Sequence, residues 1–331
     1  MPSALTLTVI IVVIAIIFDV INGFHDSANA IACVVSTRVM TMREAVIMSA
    51  SLNFVGAFMS VKVAQTIGNG IVDPNDVTQS VIIAALMGAI IWNLITWYFG
   101  IPSSSSHALI GGLVGSAIVY KSSFLIINWP GLFWKVIVWL VLSPIIGFIA
   151  GFVFMNVMNM ILKNTRPRTV TRIFSKAQIF SAMLIALNHG GNDAQKTMGI
   201  ITMTLVSAGF LDKFSVPLWV KVCCALSMAL GTALGGKKII KTMGSKMARM
   251  TPVNGFSAEM GASAVIFTAT MFDAPVSTTH IITTSIMGVS SAKRFSAVRW
   301  AVVKDIVTTW IFTIPSCAAI SGILIFLLSL F

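Results

Sequence analysis

The 331 residues are 57% hydrophobic and only 10% charged, with a mean hydropathy of +0.95; an ordinary soluble domain carries about 25% charged residues. That balance excludes a soluble globular fold and places the chain in a lipid membrane. The formal net charge of +12 does not point to a nucleic-acid partner, because the basic residues are confined to a few short loops, which is how membrane topology is written.

Apolar runs of about 20 residues, each long enough to cross roughly 30 Å of hydrocarbon as a helix, recur from end to end. None alternates at period 2 as the spans of a β-barrel do. In chain order the runs predict spans near 4–35, 45–66, 80–99, 103–120 and 131–162. A basic link follows, Lys163 to Arg172, and then spans near 177–208, 216–235, 256–272, 275–290 and 301–331. The expected fold is an all-α polytopic membrane protein with five crossings on each side of the link and about 10–12 membrane segments in all. Its expected divisions are a first repeat over 1–162, a cytoplasmic linker over 163–176 and a second repeat over 177–331. The first run of each half is too long for one simple helix and is interrupted by glycine and polar residues, so broken or re-entrant helices are expected there. The N-terminus lacks a basic stretch of signal-peptide type. The four cysteines lie in or beside apolar segments without zinc spacing and are expected to be small buried hydrophobes.

The halves read as copies. "GFHDSANA" (Gly23 to Ala30) finds its counterpart in "NHGGNDAQ" (Asn188 to Gln195), with Asp26 and Asp193 standing 167 positions apart. "PSSSSH" (Pro102 to His107) matches "PVSTTH" (Pro275 to His280) at an offset of 173, and all four histidines fall within these paired motifs. Matching loops differ in charge as if they lay on opposite sides of the membrane. Loop 67–79 carries Asp73 and Asp76 and no base, while 236–250 carries Lys237, Lys238, Lys241, Lys246 and Arg249. An odd number of crossings per copy requires such an inversion. It puts both termini outside and the link in the cytoplasm.

Inverted repeats with broken helices are the architecture of secondary transporters, with the site near midplane between the repeats. An aspartate at the centre of a membrane helix costs roughly 2.5–3.5 kcal/mol on insertion scales, so it usually lines a cavity or binds something. On a helix Asp19, Asn22, Asp26 and Asn29 form one polar stripe. The Pro-Ser/Thr runs read as helix starts, whose free N–H groups and partial positive charge favour an anion; Ser103, Ser104, Ser105, Ser106, Ser277, Thr278 and Thr279 add hydroxyl donors. Two such starts would surround one tetrahedral oxyanion. Carboxylates and an oxyanion repel, so cations are expected between them. Asp26, Asn29, Asn192, Asp193 and Glu259 are the candidate oxygen ligands, with sodium at Asp26 and Asp193. Asn22, His25, Gln195 and Lys196 are possible supporting residues; Lys196 either holds the anion or neutralises Asp193. His107 and His280 read as packing or hydrogen-bonding residues, or as carriers of a coupling proton.

"GFHDSANA" and "GGNDAQKTMG", each followed by a Pro-x-Ser-x-x-His type run, resemble the inorganic phosphate transporter (PiT) family, whose signature is a duplicated G-x-N-D-x-A-N-type motif. The resemblance runs from Gly23 to about Gly288. It implies an ion-coupled phosphate symporter, commonly a homodimer, with no cofactor and with sodium, protons or a metal–phosphate complex as the coupled species. It makes Asp26, Asn29, Asn192 and Asp193 ion- and phosphate-site residues, makes Ser103 to Ser106 and Ser277 to Thr279 the phosphate cradle, and matches Glu259 to the family's G-F-x-x-E glutamate. Three positions depart from the pattern: His25 stands where asparagine is usual, Lys196 where the fuller motif has a second asparagine, and Asn53 where some members have glutamate. The absence of a long central loop fits a prokaryotic inner membrane, and some prokaryotic members pair with a PhoU-like regulator. The expectation is sodium-coupled phosphate import. The alternatives are a proton or metal–phosphate symporter, a carrier of sulfate or another oxyanion, and a passive anion channel. An intramembrane hydrolase using one of Ser103 to Ser106, a histidine and Asp26 would leave the second Pro-Ser/Thr-His run without a purpose. A metalloenzyme lacks an H-E-x-x-H pattern. No enzyme is expected.

Overall fold

The computed structural model describes residues 4–330, and the extreme chain ends, expected on the outside, lie beyond the described residues. The chain is helical throughout, with thirteen α-helices among the described residues. The first half holds α1 (Ala4–Ser36), α2 (Met42–Gly56), α3 (Lys62–Asn69), α4 (Gln79–Phe99), α5 (Ser105–Lys121), the single turn α6 (Trp129–Leu132) and α7 (Val138–Ile161). A π turn over Phe133–Ile137 joins α6 to α7. The second half holds α8 (Pro167–Ser207), α9 (Leu218–Leu234), α10 (Lys237–Lys241), α11 (Pro252–Met271), α12 (Thr278–Lys293) and α13 (Trp300–Leu328). Five of these segments are long and apolar enough to cross a membrane, and the bent pair α9–α10 makes a sixth. The basic stretch after Ile161 is a short turn. From Pro167 onward it is already the first turns of α8, a proline at N1 being compatible with a helix start.

The broken elements expected of this sequence are present, but not where they were expected. α1 and α8 run uninterrupted through "GFHDSANA" and "HGGNDAQ". Gly23 does not break α1; it lets another backbone come close. A Cβ there would stand 2.7 Å from the Met228 carbonyl oxygen and 2.9 Å from Gly231 Cα. The polar side chains of α1 mostly bond to other helices, which leaves the backbone ladder of α1 intact. The breaks fall one element later. The span expected over 45–66 is split into α2 and α3 by residues 57–61. α9 bends by 62° into α10 at Gly235–Gly236, where Gly235 has φ +68°.

The remaining breaks carry the Pro-Ser/Thr runs. α4 ends on Gly100, left-handed at φ +69°, and Pro102 follows. α11 ends before Asp273, also left-handed at φ +60°, and Pro275 follows. Proline lacks the N–H of the helix ladder and disfavours the helical conformation in the residue before it. The helix therefore restarts only at Ser105 and Thr278. Ser104 Oγ accepts from His107 N–H (3.3 Å) and Ser277 Oγ from His280 N–H (3.2 Å), the same N-cap in each half.

Further details repeat. Trp129 Nε1–H donates to Phe124 O (3.0 Å), and Trp300 Nε1–H to Phe295 O (3.1 Å). α7 and α13 each carry an internal proline, Pro144 and Pro315. Packing crosses between the halves: α1 lies along α9 and α2 along α8, while α5 lies along α13 and α12 along α7. α5 and α12 are buried over most of their length, so each restarted helix is sheathed by protein. Cys33, Cys224 and Cys317 are buried and Cys223 half-buried, all as free thiols.

Candidate functional site

The site is built where α1, α8 and the starts of α5 and α12 meet. α1 places His25, Asp26 and Asn29 in the interior; α8 places His189, Asn192, Asp193 and Lys196 there. The two capped starts lie side by side: Ser106 Oγ donates to Val276 O (3.1 Å), and the His107 and His280 rings are 4.9 Å apart. The first N–H groups of a helix have no partner within it, so two buried starts in contact concentrate donors and partial positive charge in one place.

The aspartates face these starts. Asp26 accepts from Ser105 Oγ on α5 (3.3 Å) and from Thr279 Oγ1 on α12 (3.4 Å). Asp193 accepts from Thr278 Oγ1 on α12, at 3.3 Å to Oδ2. Asn29 donates its amide to Thr278 Oγ1 (3.2 Å) and Thr279 Oγ1 (2.9 Å), while its own Oδ1 is buried and unpartnered. His25 donates Nδ1–H to Asp26 Oδ1 (2.6 Å), and its Nε2 meets the hydroxyls of Thr96 (3.1 Å) and Ser103 (3.3 Å). Lys196 Nζ donates to Asp193 Oδ1 (2.7 Å), with the ammonium fully buried.

Asp26, His189 and Asp193 each bring one ligand atom within 4.8 Å of the other two. Oxygen ligands at about 2.3–2.6 Å from a hard cation stand roughly 4.6–5.2 Å apart when opposite one another. The three ligand atoms are thus near enough to share one cation. Hydroxyl and amide oxygens close by complete the hard-donor character of the set.

Several expected residues sit elsewhere. Ser104 and Ser277 spend their hydroxyls on capping, and Ser106 spends its on Val276. Asn192 turns its amide to Thr270 on α11 (3.0 Å). Gln195 Oε1 accepts from the Val63 N–H (2.9 Å) and Ala64 N–H (3.3 Å) at the start of α3, and its amide donates to Gly191 O. Asn22 is buried with neither amide atom partnered. Glu259 stands apart from the aspartates, accepting from Ser181 Oγ (2.5 Å) beside Gln178, which Thr37 contacts through its hydroxyl (2.8 Å); its Oε1 is unpartnered.

Sequence reading missed three contributors. His189 lies 3.4 Å from Asp193 Oδ2. Its i,i+4 spacing on a helix could have placed it there. Thr96, in an apolar stretch of α4, carried no signal. Thr197 donates to Asp19 Oδ1 (2.8 Å), joining the other aspartate of the α1 stripe to α8.

The chain also has relatives. A profile of the phosphate transporter family matches residues 22–321. A Bacillus subtilis (strain 168) protein named "probable low-affinity inorganic phosphate transporter" is 47% identical over 333 residues, covering 100% of this chain and 99% of its own length. A protein of the same name from Rhizobium meliloti (strain 1021) is 48% identical, covering 98% and 97%. A solved structure titled "The sodium-dependent phosphate transporter" superimposes with a TM-score of 0.90 over 98% of this chain and 99% of its own, at 24% identity. At that identity the likeness is one of fold.

Proposed function

We propose that this chain, which belongs to the phosphate transporter family, imports inorganic phosphate by symport with sodium across a prokaryotic inner membrane. The observation that carries the reading is the contact of two buried, hydroxyl-capped helix starts with two aspartates from different halves. Ser105, Thr278 and Thr279 line the place where the anion binds, and the starts of α5 and α12 supply donors to its oxygens. Sodium sits between Asp26 and Asp193, where it screens the anion from the carboxylates. Neither charged partner is stable in this interior without the other, because a charge out of water must be paired. That mutual requirement is the physical basis of coupling. Access alternates as the two inverted halves rock or gate about the fixed site, with both chain ends outside. The family resemblance extends this reading to a homodimeric working unit and to a PhoU-like cytoplasmic protein as its candidate regulator. A family of transporters leaves the hydrolase reading without support.

A second reading has one observation in its favour. His25 holds Asp26 at 2.6 Å, and histidine is the side chain that changes charge near neutral pH, so a proton is the alternative coupled ion.

The test is radiolabelled phosphate uptake into proteoliposomes under a sodium gradient, a choline control and a proton gradient alone, with excess sulfate as competitor. Sodium-driven accumulation that sulfate does not suppress is the expected result. Accumulation with protons alone transfers the role to the His25–Asp26 pair. Downhill equilibration only, or suppression by sulfate, overturns phosphate symport.

A further inference from the structure

The basic partners of the two aspartates differ between the halves. At the 167-residue offset of the motifs, Asn192 stands where the first half has His25, and Lys196 stands where it has Asn29. At these two positions each aspartate thus has one basic and one amide residue, exchanged between the halves, and Asp193 has a second basic neighbour in His189, 3.4 Å from its Oδ2. The amide of Asn29 crosses to the hydroxyls of Thr278 and Thr279. The ammonium of Lys196 turns back onto its own helix and bonds Asp193 Oδ1 at 2.7 Å. Its relative exposure is 1%, and it makes no other hydrogen bond or ion pair among the described residues.

We propose that Lys196 is a tethered counter-cation that takes the place of one coupling ion at Asp193 and lowers by one the number of cations carried with each phosphate. The inference rests on the symport reading above. An ammonium is a compact monovalent cation that neutralises a buried carboxylate as a sodium ion would, but it is bound to the chain and never leaves with the cargo. A transported ion adds the energy of its gradient to the phosphate; a tethered one adds only neutralisation. The ammonium of Lys196 is directed at the Asp193 carboxylate. Asn29, at the matching position, is the residue that reaches the hydroxyls around the anion. An uncompensated charge at Asp193 would be costly in this interior. Replacing Lys196 by the first half's residue, an amide whose oxygen can ligate sodium, therefore opens a place that a free cation must fill.

The test compares the full-length chain with Lys196→Asn in proteoliposomes loaded for simultaneous sodium-22 and phosphorus-32 uptake. The expected result is a sodium-to-phosphate ratio higher by one in Lys196→Asn. At a tenfold inward sodium gradient and zero membrane potential, that raises the limiting accumulation of phosphate about tenfold. An unchanged ratio overturns the proposal, and so does a weaker phosphate affinity at an unchanged ratio, which would make Lys196 an anion ligand. Where Lys196→Asn does not transport, sodium-22 binding to the purified protein decides: one more bound sodium than in the unmodified chain supports the proposal, and an equal or smaller number overturns it. Lys196→Gln, also an oxygen ligand, carries the same measurements if the asparagine variant does not fold. Wild-type uptake that ignores sodium defeats the symport reading; a sodium requirement gained on removing Lys196 still reads the tethered cation by itself.

Discussion

Asp26 is held by His25 of its own helix and by hydroxyls of α5 and α12, and Asp193 by Lys196 of its own helix and a hydroxyl of α12, so exchanging a carboxylate for an amide leaves most of the geometry in place and removes the charge. Asp26→Asn and Asp193→Asn are each expected to abolish ion-driven phosphate accumulation in proteoliposomes while the purified protein stays monodisperse; near-normal accumulation by either would remove the central assignment. Thr279 bonds both Asp26 and Asn29. Thr279→Val removes a hydroxyl at nearly constant volume, and a hydrogen bond to a charged group contributes about 1.5–3 kcal/mol. A rise of at least about tenfold in KM for phosphate is expected, read from initial uptake rates. Glu259 lies outside this cluster, bonded to Ser181. Glu259→Gln is therefore expected to lower the maximal uptake rate and leave KM for phosphate within about twofold, a large rise in KM being the contrary result. At this scale the sequence was informative about acids and hydroxyls, because polar residues in an apolar run need a reason to be there. It was uninformative about partners: Thr96 and Thr197 look like any membrane-helix threonine until the fold brings His25 and Asp19 to them. Nothing in "GNDAQK" said that Gln195 would cap α3 rather than join the site.

Helix boundaries were the more legible part, and the position of the breaks the less legible. The runs 80–99 and 131–162 emerge as Gln79–Phe99 and Trp129–Ile161 because hydropathy is local and the bilayer sets the length. A glycine in such a run is ambiguous, since it serves either a bend or a close crossing. Gly23 and Gly231 turn out to be crossings and Gly235 a bend. The two roles predict opposite tolerance. A Cβ at Gly23 meets the backbone of α9, which cannot yield without separating the helices, whereas a Cβ at Gly235 meets nothing within 4 Å and suffers only from φ +68°. Gly23→Ala is therefore expected to cut the yield of folded protein sharply and lower its thermal midpoint. Gly235→Ala carries only backbone strain, about 1–3 kcal/mol because φ +68° with ψ 153° is a conformation that essentially only glycine adopts, and should remain purifiable, as size-exclusion profiles and melting curves of the two variants would show.

The whole molecule is interleaved. Because α1 packs on α9, α2 on α8, α5 on α13 and α12 on α7, neither half closes a core from its own helices. Residues 1–162 or 163–331 expressed alone are expected to be degraded or aggregated. The two pieces expressed together, split in the turn after Ile161, should associate and restore phosphate uptake; a stable, monodisperse half would refute that picture. The duplicated motifs announced the pairing of halves, but not this exchange of partners, which no one-dimensional pattern encodes.

The sheath of α5 by α13 also sets a clock on synthesis. α5 ends at Lys121 and its partner at Leu328, so about 200 further residues must leave the ribosome before the serine-bearing helix is covered. At 5–20 residues per second that is about 10–40 s. Throughout that interval a helix start, a histidine and a facing aspartate wait in the bilayer without the neighbours that later enclose them. The nascent chain must therefore keep these segments within the insertion machinery, or let them be held by a membrane chaperone, until translation nears its end.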